Sequence, residues 1–383
     1  MFMMFSSAIS IAGSSIGMGL AFLAWIIKLI LVKFKGEKIS FVKVPFNKAI
    51  LILFSGILVS FIGTLDFDMS LAGLEDILIV IILFYLVVNN VKTVKTIKKM
   101  FALGIVSIII SSIYATFYQH FYLGISRVDS TFMALDFGAL LLIYCIFIMI
   151  FLFFNENGLK SDFLSGFALI LLLVTLALNK SRGSWLGFVG GSVITFWLHK
   201  KKLIPIFLIV LLVVMLFAPA AIHDRIMSIT DLKNNKSNYT RLGLWKSSLM
   251  IFRDNPINGV GINNFRQAYK SGYEQSNVDH PFSHAHSTFL NFLAETGAIG
   301  LGSLLYLFYS VLRFLYSGYK YVEDKFSKLF ILGTFSSFIG TFLIQGMTES
   351  NFSKSVVGRT IWFLVALAVV LVKLSEKQEE IPQ

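Results

Sequence analysis

The residues with the clearest chemical potential are three histidines. His280, His284 and His286 fall within seven residues and make up half of the six histidines in the chain. A neutral imidazole can remove a proton from a sugar hydroxyl near pH 7, and several imidazoles can bind one metal ion. A polar cap at the start of a helix would use the same residues without any chemistry. A loop that ends at the start of a helix does not present two zinc ligands at i and i+4 on one helix face. All three interpretations nevertheless stay open here.

A second candidate is Arg182, in the polar hinge Lys180-Ser181-Arg182-Gly183-Ser184 between two apolar segments. An arginine at membrane depth costs about 3 kcal/mol on insertion scales, so it usually faces a cavity or a partner. An arginine at a helix end can also extend its charged group to the lipid headgroups. The hinge alone does not decide between these two roles.

Two carboxylates, Asp66 and Asp68, form a third candidate. Paired carboxylates at this spacing can bind a divalent cation that in turn holds a phosphate. They can equally be ordinary polar residues of a loop between two membrane spans.

Several classes of protein are excluded by what the sequence lacks. It contains no Walker A loop, no dinucleotide fingerprint and no cytoplasmic segment large enough to bind a nucleotide, so energy must reach a reaction from the membrane or the outer face. The single cysteine, Cys145, lies inside an apolar segment, which excludes a disulfide framework and a cysteine-based zinc site.

These candidates must be positioned by membrane helices. Hydrophobic residues make up 56% of the 383 residues and charged residues 14%, and the mean hydropathy is +0.78. The apolar residues form blocks of about 20, the length that crosses the hydrocarbon core of a bilayer. The sequence therefore predicts an all-α polytopic membrane protein with about eleven spans. The predicted spans are 12–32, 47–65, 74–90, 101–119, 132–154, 163–179, 184–199, 203–222, 297–316, 329–348 and 356–373.

The distribution of positive charge predicts the orientation. Nineteen Lys and Arg residues fall in one set of alternate loops, whereas the other set of short loops holds four: Arg127, Lys180, Arg182 and Lys354. Positive loops stay in the cytoplasm, so we expect the N-terminus outside and the C-terminus inside. This bias also accounts for most of the net charge of +12 without a nucleic-acid partner.

One predicted outer loop is much longer than the others. We divide the chain into spans one to eight (1–222), this long loop (223–283), and the last three spans with a cytoplasmic tail (284–383). The loop is too long for a simple connector, so we expect function there. Residues 241–253 have the pattern of an amphipathic helix, which Pro256 and the turn 258–261 end.

Several motifs resemble the bacterial O-antigen ligase and polymerase superfamily. His286-Ser287, followed after nine residues by Gly297-Ala298-Ile299-Gly300, is similar to the His-[Asn/Ser/Gln]-x9-Gly-x-x-Gly pattern of that superfamily. Thr240-Arg241 with Trp245, and Asn255-Pro256-Ile257-Asn258-Gly259-Val260-Gly261 with Phe265, resemble its loop helix and Gly-Val-Gly turn. Ser181-Arg182-Gly183 resembles its hairpin arginine. Among its members the ligases are the most similar, although Ser287 stands where asparagine is commoner and Asp136 where an amide is expected.

The resemblance implies a glycosyl transfer at the outer face of the bacterial cytoplasmic membrane. The donor would be a glycan on undecaprenyl diphosphate, the acceptor a lipid A–core or glycan hydroxyl, and the reaction inverting and independent of metal and cofactor. His286 would be the base, and Arg182 and Arg241 would bind the diphosphate. We count four more residues as candidates for substrate binding: Arg127, His284, Trp245 and Lys180.

Three other functions remain as alternatives. An O-antigen or exopolysaccharide polymerase would use the same chemistry on a growing chain. A transporter of lipid-linked saccharide would use the arginines to conduct a charged headgroup, but the long loop has no use in that hypothesis. A metal-dependent oligosaccharyltransferase would use Asp66 and Asp68. The expected partners are the donor, the acceptor and membrane lipid.

The metal alternative gives a direct test. We expect glycan transfer by the purified protein to survive EDTA, because Arg182 and Arg241 supply the positive charge that a metal would bring. A double variant, Asp66→Ala with Asp68→Ala, should also keep its activity. Loss of transfer in both experiments, with recovery on adding Mg²⁺ or Mn²⁺, would overturn the metal-independent mechanism.

Overall fold

The computed structural model describes residues 1–154, 159–232, 234–352 and 355–379. Lys354, which the orientation argument counted, lies outside the described residues, as do residue 233 of the predicted long loop and residues 380–383 of the predicted tail. Within the described ranges the chain forms helices, turns and bends and contains no β-strand. The predicted all-α class is therefore confirmed.

The helices are numbered in chain order. They are α1 (Phe2–Ser6), α2 (Ile11–Phe34), α3 (Asn47–Ser60), α4 (Phe67–Asn90), α5 (Val94–Ile113, continued as a π-helix to Tyr122), α6 (Ala134–Phe154), α7 (Leu159–Asn179), α8 (Arg182–His199), α9 (Leu203–Leu216), α10 (Ala220–Met227), α11 (Lys236–Asp254), α12 (Phe265–Lys270), α13 (Thr288–Tyr321), α14 (Lys325–Phe338, continued by π and 3₁₀ turns to Met347) and α15 (Ser355–Glu379).

Eight of these helices are long and apolar enough to cross a membrane, which supports a multi-pass membrane protein. They are α2, α4, α5, α6, α7, α13, α14 and α15. A ninth candidate is the pair α9 and α10, which is bent by 117°. The predicted count of eleven is not confirmed, because α3 is too short and α8 is not among the eight.

The bend explains why the predicted span 203–222 differs from the structure. Pro219 is the N-cap of α10, and it has no backbone N–H with which to continue the hydrogen bonds of α9. The ring also restricts the preceding residue to non-helical conformations. The chain therefore turns after α9, and α10 directs its polar residues back toward the hinge before α8.

The interior of the helix bundle is formed by α6, α14 and α15, whose side chains are largely buried, whereas α2 lies at the periphery. α8 packs against α6 and against the π-helical end of α14. Gly187 and Gly340 make this approach possible, since a Cβ on either would lie within about 2.6 Å of the backbone oxygen of the other. The start of α8 is thereby held beside the segment that follows α14.

The long helix α13 is broken at Gly297, where φ is 63° and ψ is −165°. The backbone groups exposed by the break bind the turn after α11. Gly261 N–H donates to the Glu295 carbonyl at 2.9 Å, and Ala298 N–H donates to the Pro256 carbonyl at 2.9 Å. The two glycine motifs noted in the sequence are thus in contact, and they join the long loop to α13.

Gly297 should be the most sensitive position of this junction. A Cβ there would lie 2.3 Å from the Ile257 carbonyl oxygen, and its backbone conformation is essentially restricted to glycine. We expect Gly297→Ala to lower the stability by at least about 1–3 kcal/mol, measured as a lower melting temperature of the purified protein.

Gly302→Ala is the matched control, because a Cβ at this position of the same helix would meet no atom within 4 Å. Alanine is also the better helix former, so this variant should be as stable as the parent or slightly more stable. Equal melting temperatures for both variants would contradict the role given to Gly297.

Candidate functional site

A cavity of about 500 Å³ lies between the start of α8, α10, α11 and the segment after α14. It brings together five of the seven predicted site residues: Arg127, Arg182, Arg241, Trp245 and His286. These residues come from four separate parts of the chain, and the helix packing described above assembles them.

One contact in the cavity joins His286 to the buried carboxylate of Glu349. The Nδ1 atom of His286 is 2.9 Å from Oε2 of Glu349, and the carboxylate is almost completely buried. An ionised carboxylate can only accept, so in that pairing Nδ1 is the donor and carries the proton. The lone pair of the neutral ring is then on Nε2. This is the arrangement of a general base that a carboxylate orients.

The backbone holds this pair firmly. Ser287 is the N-cap of α13, and its side chain accepts from the N–H of Leu290. The backbone N–H and side chain of Thr288 both donate to the carbonyl of Glu349, at 3.1 and 3.0 Å. His286 itself has φ of +49°, a conformation that non-glycine residues rarely adopt and that is concentrated at functional sites.

His284 occupies a different position from His286. Its Nδ1 accepts from the backbone N–H of His286 at 3.2 Å, and its Nε2 is 3.7 Å from Oε1 of Glu349. It does not line the large cavity. The contacts of His284 are those of a residue that positions Glu349 and the histidine loop, so its substrate-binding role remains a prediction.

Four arginines line the cavity: Arg127, Arg182, Arg225 and Arg241. Glu349 is the one carboxylate among the described residues that line it, and the lysine there, Lys236, forms an ion pair with Asp279 at 2.5 Å. The cavity therefore carries an excess of positive charge. Such a concentration of guanidinium groups favours a ligand with several negative charges.

Neutral oxygens hold these arginines in place. Nη1 of Arg182 donates to the carbonyl of Ser228 at 2.6 Å, and its Nη2 donates to Oδ1 of Asn238 at 2.6 Å. The Nε atoms of Arg127 and Arg225 donate to the carbonyls of Asn179 and Lys180, at 3.0 and 3.1 Å. These hydrogen bonds hold the arginines through neutral acceptors, and Glu349 is the one carboxylate in the described lining.

Burial and mutual repulsion affect the pKa values of two of these arginines. Burial, followed by the charges of Arg225 and Arg241, lowers the pKa of Arg127. Burial also lowers the pKa of Arg241, while Glu349 raises it and Arg225 lowers it. Guanidinium groups remain protonated at neutral pH despite such shifts. An anionic ligand would relieve the repulsion.

Three buried polar atoms in the cavity have no hydrogen-bond partner among the described residues. They are Nε of Arg241, Nε1 of Trp245 and Oε1 of Gln345. A buried polar group without a partner costs about 1–3 kcal/mol. The two nitrogens are donors that suit phosphate oxygens, and the Gln345 oxygen can accept from a hydroxyl.

Lys180, a predicted substrate-binding residue, and Asp66, a possible cation ligand, make contacts that support the fold. Lys180 adopts φ of +56° in the turn before α8, and its Nζ donates to Ser126 at 2.7 Å outside the cavity lining. Asp66 is the N-cap of α4 and accepts from the N–H of Met69 at 3.1 Å. Neither Asp66 nor Asp68 lines the cavity. The substrate-binding role of Lys180 stays a prediction.

The structure adds two residues that the sequence argument missed. Arg225 lies in α10, which the sequence assigned partly to a membrane span, and Glu349 follows the predicted span 329–348 as an isolated acid. No local motif surrounds either residue. An ionisable residue at the end of an apolar segment is a signal in itself, and it would have singled out Glu349.

His284, His286 and Glu349 could also hold a metal ion, since their ligand atoms lie within 4.8 Å of one another. Two imidazoles and a carboxylate form a donor set that suits zinc. A metal on Nδ1 of His286 would displace the proton that binds Glu349. The EDTA experiment proposed above tests this group as well.

Comparison with known proteins shows which family part of this chain is similar to. Residues 167–305 match the O-antigen ligase family model. An O-antigen ligase of Salmonella typhimurium is 28% identical over 245 residues, which cover 57% of this chain and 58% of the relative. An uncharacterized protein of Haemophilus influenzae is 25% identical over 172 residues, covering 40% of this chain and 43% of the relative. The chain thus spans about half the length of these curated relatives.

The charge of the cavity predicts anion binding. We expect pyrophosphate at about ten times its dissociation constant to raise the melting temperature by about 2–4 °C, because it binds the folded cavity only. Arg241→Lys should lose most of this shift, since a lysine cannot bind two phosphate oxygens with a planar fork.

Arg266→Lys is the matched control, because Arg266 is exposed in α12 and does not line the cavity. It should keep the full pyrophosphate shift. A shift that sodium chloride reproduces at equal ionic strength, or that Arg241→Lys retains, would contradict a specific anion site.

Proposed function

We propose that this chain, whose residues 167–305 match the O-antigen ligase family model, transfers a glycan from a polyprenyl diphosphate to a sugar hydroxyl. The proposed donor is an undecaprenyl-diphosphate-linked glycan, and the proposed acceptor is the lipid A–core of lipopolysaccharide. The O-antigen ligase of Salmonella typhimurium, 28% identical, supports the ligase over the polymerase.

One observation carries the proposal: an oriented histidine base and four arginines line the same cavity. A base activates a nucleophile, and arginines stabilise a leaving group that develops negative charge. A glycosyl transfer from a diphosphate needs both at once. A transporter needs the arginines but has no use for a histidine that a buried carboxylate orients.

The reaction follows from the roles of these groups. The acceptor hydroxyl gives its proton to Nε2 of His286 while its oxygen forms a bond with the anomeric carbon of the donor. The bond between this carbon and the diphosphate oxygen breaks, and its electron pair leaves with the diphosphate. Glu349 stabilises the imidazolium, and Arg241 with its neighbours stabilises the leaving group. A single displacement inverts the anomeric configuration.

The proposal places the cavity at the outer face of the bacterial cytoplasmic membrane. The positive-inside bias supports this placement, because it puts the long loop 223–283, the N-terminus and the hinge before α8 on the outer side. α11, which carries Arg241 and Trp245, belongs to that loop. A donor with a polyprenyl tail would reach the cavity from the lipid.

His286→Ala should abolish most of the transfer and leave the protein folded. General acid–base catalysis contributes about 10²–10⁴-fold, so we expect a loss of that order in kcat. Glu349→Gln keeps an acceptor for Nδ1 but removes the charge, and it should reduce kcat by about 10–100-fold. Transfer is measured with purified protein, lipid-linked donor and lipid A–core acceptor.

His280→Ala is the control from the same histidine cluster, since His280 is exposed and does not line the cavity. It should retain nearly full activity, and His284→Ala should fall between the two. A His286→Ala protein that transfers glycan at the parental rate would rule out the general-base role.

A further inference from the structure

A second, smaller cavity of about 190 Å³ adjoins the histidine–glutamate cluster. It lies between α4, the start of α13 and the segments around residues 262 and 350. It shares no lining residue with the first cavity, which the four arginines line and which we call the arginine cavity. Residues that are close in sequence nevertheless line different cavities. Phe282 and His286 line the arginine cavity, whereas Ser283 and His284 line the second. The rings of the two histidines separate the cavities and are 4.4 Å apart.

The chemistry of the second cavity is opposite to that of the first. Its described lining contains no arginine or lysine, so it is unsuited to a phosphate. It contains the carboxylates of Asp76 and Glu295, the amide of Asn291, and the ring of Phe292. Carboxylates accept hydrogen bonds from hydroxyl groups, and an amide can both accept and donate them. An aromatic ring provides an apolar face beside them. This combination suits a neutral polyhydroxylated ligand such as a sugar.

The side chains around the cavity differ in how firmly they are held. Oε1 of Glu295 accepts from the N–H of Phe265 at 3.2 Å, and Oδ1 of Asn291 accepts from the N–H of Ala285 at 3.0 Å. These residues form a fixed wall. Asp76 accepts no hydrogen bond from the described residues and is exposed, although it lies inside a helix long enough to span a membrane. A carboxylate at such a position usually faces a cavity and has a function.

The geometry of the reaction requires two separate approaches to the base. In an inverting displacement the nucleophile and the leaving group lie on opposite sides of the anomeric carbon. If the diphosphate occupies the arginine cavity, the acceptor must come from another direction. The second cavity adjoins the same histidines and has no arginine or lysine in its described lining.

We propose that the second cavity binds the acceptor sugar, with Asp76 as a hydrogen-bond acceptor for one of its hydroxyls. This inference rests on the proposed function and deepens it. The two lipid-linked substrates then enter through different cavities and meet at His286. Asp76 acts on acceptor affinity alone, and the diphosphate site is independent of it.

The test separates the two substrates kinetically. Transfer is measured with undecaprenyl-diphosphate-linked glycan as donor and lipid A–core as acceptor, and each is varied at saturating concentrations of the other. Asp76→Asn should raise the KM for the acceptor by about tenfold, because it removes a charge-assisted hydrogen bond. The KM for the donor and the melting-temperature shift with pyrophosphate should not change.

A second variant tests whether the acceptor needs the volume of the second cavity, whereas Asp76→Asn tests the charge of one side chain. Ser283 is exposed at the edge of the cavity, so Ser283→Trp can block it without disturbing the buried core. It should reduce the acceptor kcat/KM by at least tenfold and leave pyrophosphate binding intact. Glu75→Gln is the matched control, because Glu75 is an exposed carboxylate next to Asp76 that does not line the cavity. It should behave as the parent protein.

The outcomes distinguish this inference from the proposed function. Unchanged acceptor KM in both Asp76→Asn and Ser283→Trp, together with an inactive His286→Ala, would overturn the acceptor site and leave the glycosyl transfer in place. A change in the donor KM instead would also overturn it. If His286→Ala remains fully active, the proposed function fails first.

Discussion

The structure depends on holding four positive charges together in one partly enclosed cavity. A buried cluster of like charges is unfavourable, and proteins usually relieve it with carboxylates. Here the hydrogen bonds of Arg127, Arg182, Arg225 and Arg241 to described residues go to backbone carbonyls, a hydroxyl or an amide. These contacts fix each guanidinium group but leave its charge available. The cavity is thereby prepared for an anion before any ligand arrives.

Two irregular backbone positions make this arrangement possible. The turn at Lys180 brings Arg182 to the start of α8. The carbonyl of Lys180 also accepts a hydrogen bond from Nε of Arg225. The left-handed conformation of His286, directly before the N-cap of α13, directs the imidazole to Glu349. Both positions carry strain that a regular helix would avoid, and both position charged groups of the cavity. Strain of this kind persists only where the surrounding contacts enforce it.

The sequence predicted the features that neighbouring residues determine. It did not predict the contacts between segments that are far apart in the chain. Long apolar blocks predicted the all-α membrane class, and the motifs around Arg182, Arg241 and His286 predicted residues that the fold brings into one cavity. The pairing of Glu349 with His286 was missed because the two residues are 63 positions apart, and an acid at the end of an apolar segment does not show which residue it binds. The number of spans was not confirmed because α3 is too short and α8 is not among the candidate spans. Hydropathy also does not register that Pro219 ends a helix inside the predicted span 203–222. Asp66, read as a possible cation ligand, caps α4, a role that depends on where that helix begins.

The break in α13 has a consequence for how the protein is made. The backbone groups that Gly297 exposes must be hydrogen-bonded if this part of the helix enters an apolar environment, and their partners lie in the turn at 256–261. That turn leaves the ribosome before α13 does. On the proposed topology the turn 256–261 must cross the membrane before α13 is made. Until α13 follows, the turn lacks its hydrogen-bond partners and is unfolded or partly folded. The long loop and α13 therefore form a single folding unit, and the loop has no reason to be stable as an isolated soluble fragment.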